Sequence, residues 1–245
     1  TGEALLELEN FKDLKKVASQ SVPCTFSHND LGQPVLMELG RGWFSKGRAR
    51  RIHALLTAFH GSDGENGSFQ GICEAYNIPY TGSGVLGSAL GMDKIRAKEL
   101  CKSHNLPVVD GIGFHETEWV EKRESLLQQA ESFEYPLVVK PVHLGSSIGV
   151  EIVDSQENLI RSVETAFRYD SELLIEKAVT PLTEINCSVL GSPEKNRASV
   201  CERPVGREEL LSFRDKYMRD EAGSKGMASA DRVIPADIDD DLTQA

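Results

Sequence analysis

The sequence predicts an α/β segment built on a parallel sheet, followed by an α+β segment, with the change near residue 93. Three observations carry this. Before residue 93, apolar strand-like runs alternate with helical stretches, the order that implies a parallel sheet. After it, the strand-like runs Val108–Phe114, Leu137–Lys140, Val150–Val153, Leu173–Glu176 and Glu184–Leu190 are interrupted by only two helical stretches. The 245 residues, 40% of them hydrophobic, suffice for one large domain or two to three small ones.

In order, residues 3–19 place Leu5, Leu6, Leu8, Phe11, Leu14 and Val17 at mostly helical spacing and predict a surface helix. Gln33–Leu39 reads as a strand and Arg41–Arg51 as a loop. Ile52–Phe59 reads as a buried strand delivering the loop His60–Gly67 at its carboxyl end, where open α/β sheets bind ligands. A helix Phe69–Tyr76, a short strand Ile78–Tyr80 and a Gly/Ser turn Thr81–Gly84 follow. Asp93 is placed to cap a helix reaching His104, with Ile95, Leu100 and Cys101 turned toward packing. Next come a helix Glu118–Glu131 and one opening at Asp154-Ser155-Gln156-Glu157, a capping-box pattern, with Leu159, Ile160, Val163 and Phe167 on one face. Arg203–Asp231 has no regular pattern, a length uncommon outside lids and binding loops. Arg232–Ala236 reads as a strand end before an acidic helix start at Asp237.

A net charge of -11 argues against a general binder of nucleic acid or anionic membrane. The basic run Lys46–Arg51 reads as a solvated loop. Five cysteines, odd in number, widely spaced and without C-x-x-C, indicate neither a disulfide framework nor a zinc site and fit a reducing cytoplasm. No apolar run reaches membrane-spanning length and no secretory leader pattern opens the sequence, although its abrupt start leads us to expect an upstream segment.

The stretch Pro136–Val153 is the chemical centre of the reading. An apolar run ends on Lys140, breaks at Pro141, passes through Gly145-Ser146-Ser147-Ile148-Gly149 and resumes as a strand. Two strands joined by such a loop make a hairpin-like lid, with Gly145 and Gly149 supplying backbone freedom. Its N–H groups and hydroxyls suit phosphate oxygens, and Lys140 adds a point charge to the same anion. A nucleoside triphosphate is the expected ligand. Neither G-x-x-x-x-G-K-[ST] nor a strand-to-helix G-x-G-x-x-G occurs, so neither a P-loop nor a Rossmann fingerprint carries it.

Five blocks in register then identify a family resemblance. They are His60-Gly61-Ser62-Asp63-Gly64-Glu65-Asn66-Gly67-Ser68-Phe69-Gln70-Gly71; Ile78–Gly84 running to Met92-Asp93-Lys94; Val139-Lys140-Pro141 with Gly145–Val150; Leu174-Ile175-Glu176-Lys177 with Glu184; and Ser212–Tyr217. Spanning most of residues 52–236, they resemble the D-alanine–D-alanine ligases of the ATP-grasp superfamily.

The resemblance implies a partial pre-ATP-grasp, Rossmann-like domain over 1–93, a first ATP-grasp lobe over 94–178 and a second over 179–245. It implies ATP, and Mg2+ or Mn2+, as cofactors, D-alanine as substrate, a cytoplasmic homodimer, and no nucleic-acid or membrane partner. By carry-over, Lys94 and Lys140 hold phosphates and Ser146 and Ser147 belong to the loop closing over them. The main chain of Lys177, Ala178 and Val179 meets the adenine edge, Glu176 takes the amino group, and Glu184 holds the ribose. His60 and Glu65 lie near the first D-alanine. Ser146 or Ser147 joins Lys216 and Tyr217 in a catalytic Ser-Tyr-Glu arrangement over the second, whose glutamate belongs to an upstream segment outside this sequence. The metal ligands are expected downstream of Ala245, and Asp237, Asp239, Asp240 and Asp241 read as a helix start or solvated cluster, not as substitutes. The implied reaction is ATP-dependent formation of D-alanyl-D-alanine for peptidoglycan precursors through an acyl phosphate. A D-alanine–D-lactate or D-alanine–D-serine ligase, or a catalytically silent binding module, is the alternative.

Overall fold

A computed structural model describes residues 13–40, 47–59, 61–192, 194–204, 232–239, 241 and 243. The first half of the expected leading helix, residues 41–46 of the expected loop and residues 205–231 of the irregular segment lie outside them. Two compact units result: Thr1–Phe59 with Asp63–Ser88, and His60–Ser62 with Ala89–Ala245.

In the first unit, Asp13 caps α1 (Leu14–Gln20) by accepting from the Lys16 N–H at 3.0 Å. Strands β1 (Cys24–His28), β2 (Pro34–Glu38) and β3 (Ala49–Arg51) form an antiparallel sheet in that order. The turn between β1 and β2 is set by Asn29, whose Oδ1 accepts from the Leu31 and Gln33 N–H groups at 3.0 and 2.9 Å. Helix α2 (Ser68–Ala75) follows, and the division between the units falls within α3 (Val85–Met92). Val35, Cys73 and Ile78 are buried, with Phe59 edge-on to Phe69 at 4.7 Å.

Three expectations change here. Ile52–Phe59 is not a buried strand: it makes one parallel bridge, Leu55 to Tyr80, and Leu56 is exposed. A parallel strand needs neighbours at its edges and cover on both faces, and among the described residues Leu55 has only that bridge. The parallel sheet expected before residue 93 is accordingly reduced to this contact, the described ladder being antiparallel. The end of the expected Arg41–Arg51 loop instead forms β3, a basic edge strand tied by Arg50 to Glu38 at 3.3 Å. Helix α3 was not expected at all, since Gly87 and Gly91 lower its intrinsic propensity.

In the second unit α4 (Lys94–Ser103) starts where expected, with Asp93 Oδ1 accepting from the Ile95 and Arg96 N–H groups at 3.1 and 2.9 Å. Leu100 is exposed rather than packed, since five residues on from Ile95, which faces the sheet, it lies well round the helix. After it come β4 (Gly111–His115), α5 (Glu116–Glu131), β5 (Leu137–Pro141), β6 (Glu151–Val153), α6 (Gln156–Ala166) and β7 (Glu172–Lys177). The sheet order is β4-β7-β5-β6, every pair antiparallel, an α+β arrangement. His115 forms a capping box with Glu118 at the start of α5, and Ser155, one residue later than expected, caps α6. Helices α5 and α6 cover one sheet face: Trp119, Leu126, Leu127, Leu159 and Val163 pack with Leu137, Val139, Leu173 and Ile175.

The expected strand Glu184–Leu190 shrinks to β8 (Val189–Gly191), paired with β9 (Asn196–Ala198), and a bridge from Asn186 to Glu202. Every residue of both strands is exposed, so neither strand face is packed under an apolar layer. β10 (Arg203–Pro204) pairs with β11 (Arg232–Val233). Among the described residues, no helix is long and apolar enough to cross a membrane.

Candidate functional site

Alternation along β5 and β7 builds the site. Leu137, Val139, Leu173 and Ile175 enter the helix-covered core, so Val138, Lys140, Leu174 and Glu176 project from the opposite face. In the register Val138 faces Glu176 and Lys140 faces Leu174, which makes Lys140 and Glu176 diagonal neighbours on that face. Their side chains form an ion pair, Lys140 Nζ to Glu176 Oε1.

Helix α4 packs on the same sheet through Ile95, which occupies the space a side chain on Gly113 would take. Its lysines at 94 and 98, one turn apart, therefore reach the site together. Lys98 Nζ lies 2.8 Å from Glu176 Oε2 and donates to the Val109 carbonyl at 2.6 Å. Lys94 Nζ donates to the carbonyls of Pro141, Val142 and Leu144 at 2.9, 3.1 and 2.5 Å, fastening the start of the loop after β5.

Electrostatics follow from this crowding. Burial, then the Lys140 charge, lowers the Lys94 pKa against the opposing pull of Asp170, Glu176 and Asp93. For Glu176, burial raises the pKa but the hydrogen bonds and charges of Lys140 and Lys98 outweigh it, so the carboxyl sits below its ordinary value. Only 6% exposed, Glu176 is thus an ionised carboxylate between two ammonium groups.

The hairpin expected around Lys140 forms, with Leu137 opposite Val153 and Val139 opposite Glu151. Its loop differs in detail. Gly149 has φ +69° as anticipated, but the other left-handed residues are Ser146 and Ser147, at φ 54° and 58°, and not Gly145. Two successive non-glycine residues there cost on the order of 1 kcal/mol each. The turn is closed by the Ile148 N–H on the Gly145 carbonyl at 3.1 Å and the Val150 N–H on that of Ser147 at 3.3 Å.

At the strand end, the Lys177 N–H donates to the Asp110 carbonyl and that of Ala178 to Pro136, while Val179 and Glu184 are exposed. Glu65 is exposed between a 3-10 turn (Ser62–Gly64) and α2 in the first unit. His60, Lys216 and Tyr217 lie outside the described residues.

Sequence reasoning missed Lys98, although its place four residues after Lys94 on a capped helix was readable. It also missed His143, whose N–H donates to Asp170 at 2.7 Å and whose Nδ1 lies 3.1 Å from the same buried carboxylate. His143 Nε2 faces Asp93 and Glu172 at 3.6 and 3.7 Å, a group with metal-ligand chemistry among the described residues. It does not fit magnesium: one donor is an imidazole where a hard ion takes oxygens, and the Arg96 guanidinium already lies 3.8 and 3.7 Å from the two carboxylates.

A family sequence model described as "D-ala D-ala ligase C-terminus" matches residues 100–245. The D-alanine–D-alanine ligase of Thermosipho africanus is 38% identical over 192 residues, 78% of this chain and 50% of that protein. That of Thermosipho melanesiensis is 34% identical over 99% of this chain and 62% of that one. The structure of the VanG D-Ala:D-Ser ligase from Enterococcus faecalis superposes with a TM-score of 0.72 at 27% identity, covering 100% of this chain and 64% of its own. The chain thus spans about half to three-fifths of the length of the curated relatives it matches. With the family model covering more than half of the sequence and the site's lysines and carboxylate gathered on one sheet face, the chain belongs to the D-alanine–D-alanine ligase family.

Proposed function

We propose that the full-length protein joins two D-alanine molecules to D-alanyl-D-alanine at the expense of ATP, for peptidoglycan precursors, within a pre-ATP-grasp domain (1–93) and two ATP-grasp lobes (94–178 and 179–245). The observation that carries this, in a chain of that family, is the pairing of Lys98 and Lys140 with one buried carboxylate, Glu176, while Lys94 holds the carbonyls that lead into the Gly145–Gly149 loop. Ammonium groups held in place before the substrate arrives suit a triphosphate, whose transfer depends on positioning and charge neutralisation.

Lys140 and Lys94 exchange their present partners for phosphate oxygens, and Ser146 and Ser147 close over them. Glu176 accepts from the adenine amino group. With the Lys177 and Ala178 N–H groups on the Asp110 and Pro136 carbonyls, those two residues offer acceptors to the adenine edge and Val179 a donor. Glu184 holds the ribose, His60 and Glu65 the first D-alanine, and Lys216 and Tyr217 close over the second. The carboxylate of the first D-alanine attacks the γ-phosphate, ADP leaving, to give an acyl phosphate, and the amine of the second D-alanine, its proton lost, attacks the acyl carbon and displaces phosphate as the amide bond forms. A homodimer in the cytoplasm is part of the proposal. Among the described residues, the Asp93, His143 and Glu172 group does not fit magnesium. Phosphate release by the full-length protein, with the product weighed by mass spectrometry, tests the reading. D-alanine-dependent release matched by dipeptide is expected, and release without dipeptide overturns it.

A further inference from the structure

Glu176 has two lysine partners, and they are not equivalent. Lys140 ends β5 beside the loop after it, while Lys98 is anchored on α4 by the Val109 carbonyl at 2.6 Å as well as by Glu176 Oε2 at 2.8 Å. A triphosphate therefore draws Lys140 away and leaves Lys98 in place. We infer that Lys98 is a positioning residue that keeps Glu176 ionised while nucleotide is bound, and thereby sets the choice of a 6-amino purine over a 6-oxo purine. The inference rests on the ATP reading of the site above.

The chemistry is that of a buried carboxylate losing one of its two paired cations, the Lys94 ammonium being turned to the carbonyls after β5 and, on the reading above, to phosphate. Left with none, a group only 6% exposed takes up a proton. The resulting carboxylic acid carries an O–H donor and pairs with the oxo group of guanine as well as with the amino group of adenine. Held ionised by Lys98, the carboxylate accepts only. It then matches the adenine amino group and sets lone pairs against the guanine oxygen, a mismatch that a site built on buried hydrogen bonds rejects strongly.

Equilibrium titration of the full-length protein with ATP and GTP, between about pH 6 and about pH 8, tests this on wild type, Lys98→Gln and Lys98→Arg, with melting curves alongside. Glutamine keeps a donor toward Val109 but no charge. We expect Lys98→Gln to lose at least about tenfold of the ATP-over-GTP preference and to bind ATP more weakly as the pH falls, and Lys98→Arg to restore both. Glu176→Gln, an uncharged group with a donor that leaves Lys98 untouched, should lose the same preference without the pH dependence, which covers the case of Lys98→Gln failing to fold. An unchanged preference in either glutamine variant overturns the inference alone. Absence of ATP binding by the wild type overturns the nucleotide reading and the inference with it.

Discussion

At Lys140 two demands meet, one from the folded chain and one from the proposed nucleotide. Its ammonium is paired with the buried Glu176 carboxylate, and removing one partner of a buried pair commonly costs about 3–5 kcal/mol because the other charge is stranded. Here the second oxygen of Glu176 stays on Lys98, so Lys140→Ala should lower the melting temperature far less than Lys98→Gln combined with Lys140→Ala. Turnover should nevertheless fall by at least about 100-fold, since a charge acting on the transferred phosphoryl group is lost; turnover within about threefold of wild type would sink the assignment. The same carboxyl carries an acid dependence. Its folded pKa lies below the ordinary 4.5, so its contribution to stability is complete above that value and disappears as the pH falls through the folded pKa. Denaturant melts should show wild type losing stability below about pH 4.5 more steeply than Glu176→Gln, and equal slopes would contradict the pairing.

Elements differ in how openly they announce themselves. Helix α4 could be read from the sequence because Asp93 makes its own cap, a bond between neighbours that no distant partner alters. The β5–β6 hairpin was legible because its two apolar runs flank a Gly/Ser segment with no helical pattern, and they pair with Val139 opposite Glu151 although residues 142–150 make a long connection. Residues 52–59 were not: their apolar character matched a buried strand, but cover and partners are tertiary facts, and Leu56 lies exposed. The loop itself misled only in assigning the unusual backbone to Gly145 rather than to Ser146 and Ser147. At Gly149, φ +69° and a Pro141 Cγ 2.8 Å from any Cβ make Gly149→Ala costly by about 1–3 kcal/mol, and nucleotide affinity should drop with it because the loop shifts. Ser155→Ala, which removes the cap of α6 on the other sheet face, should cost about 1 kcal/mol and leave nucleotide affinity alone. Calorimetric melts with nucleotide titrations separate the two, and a Gly149→Ala protein as stable and as tight-binding as wild type would refute the strained-loop account.

Over the whole molecule, chemistry that depends on distant segments was readable only as motif, whereas the lysine–carboxylate cluster emerges from geometry within one unit. The choice of second substrate is of the first kind, since Tyr217 reaches the argument through the Ser212–Tyr217 block alone. The second substrate attacks as a nucleophile, and an amine near neutral pH is mostly protonated. An amide-forming site therefore needs groups that accept or orient an ammonium losing its proton, a task the resemblance gives to Tyr217 after Lys216. A hydroxy acid brings no such proton and leaves those groups unpaired, which a hydrogen-bonding site penalises heavily. We expect the full-length protein to prefer D-alanine over D-lactate by at least about 100-fold, and Tyr217→Phe to narrow that preference. D-serine also attacks through an amine and should be incorporated. Competition of the acceptors at neutral pH, with products resolved by mass, decides the matter: depsipeptide as the main wild-type product would overturn the assignment of Tyr217 and the amide-forming reading together.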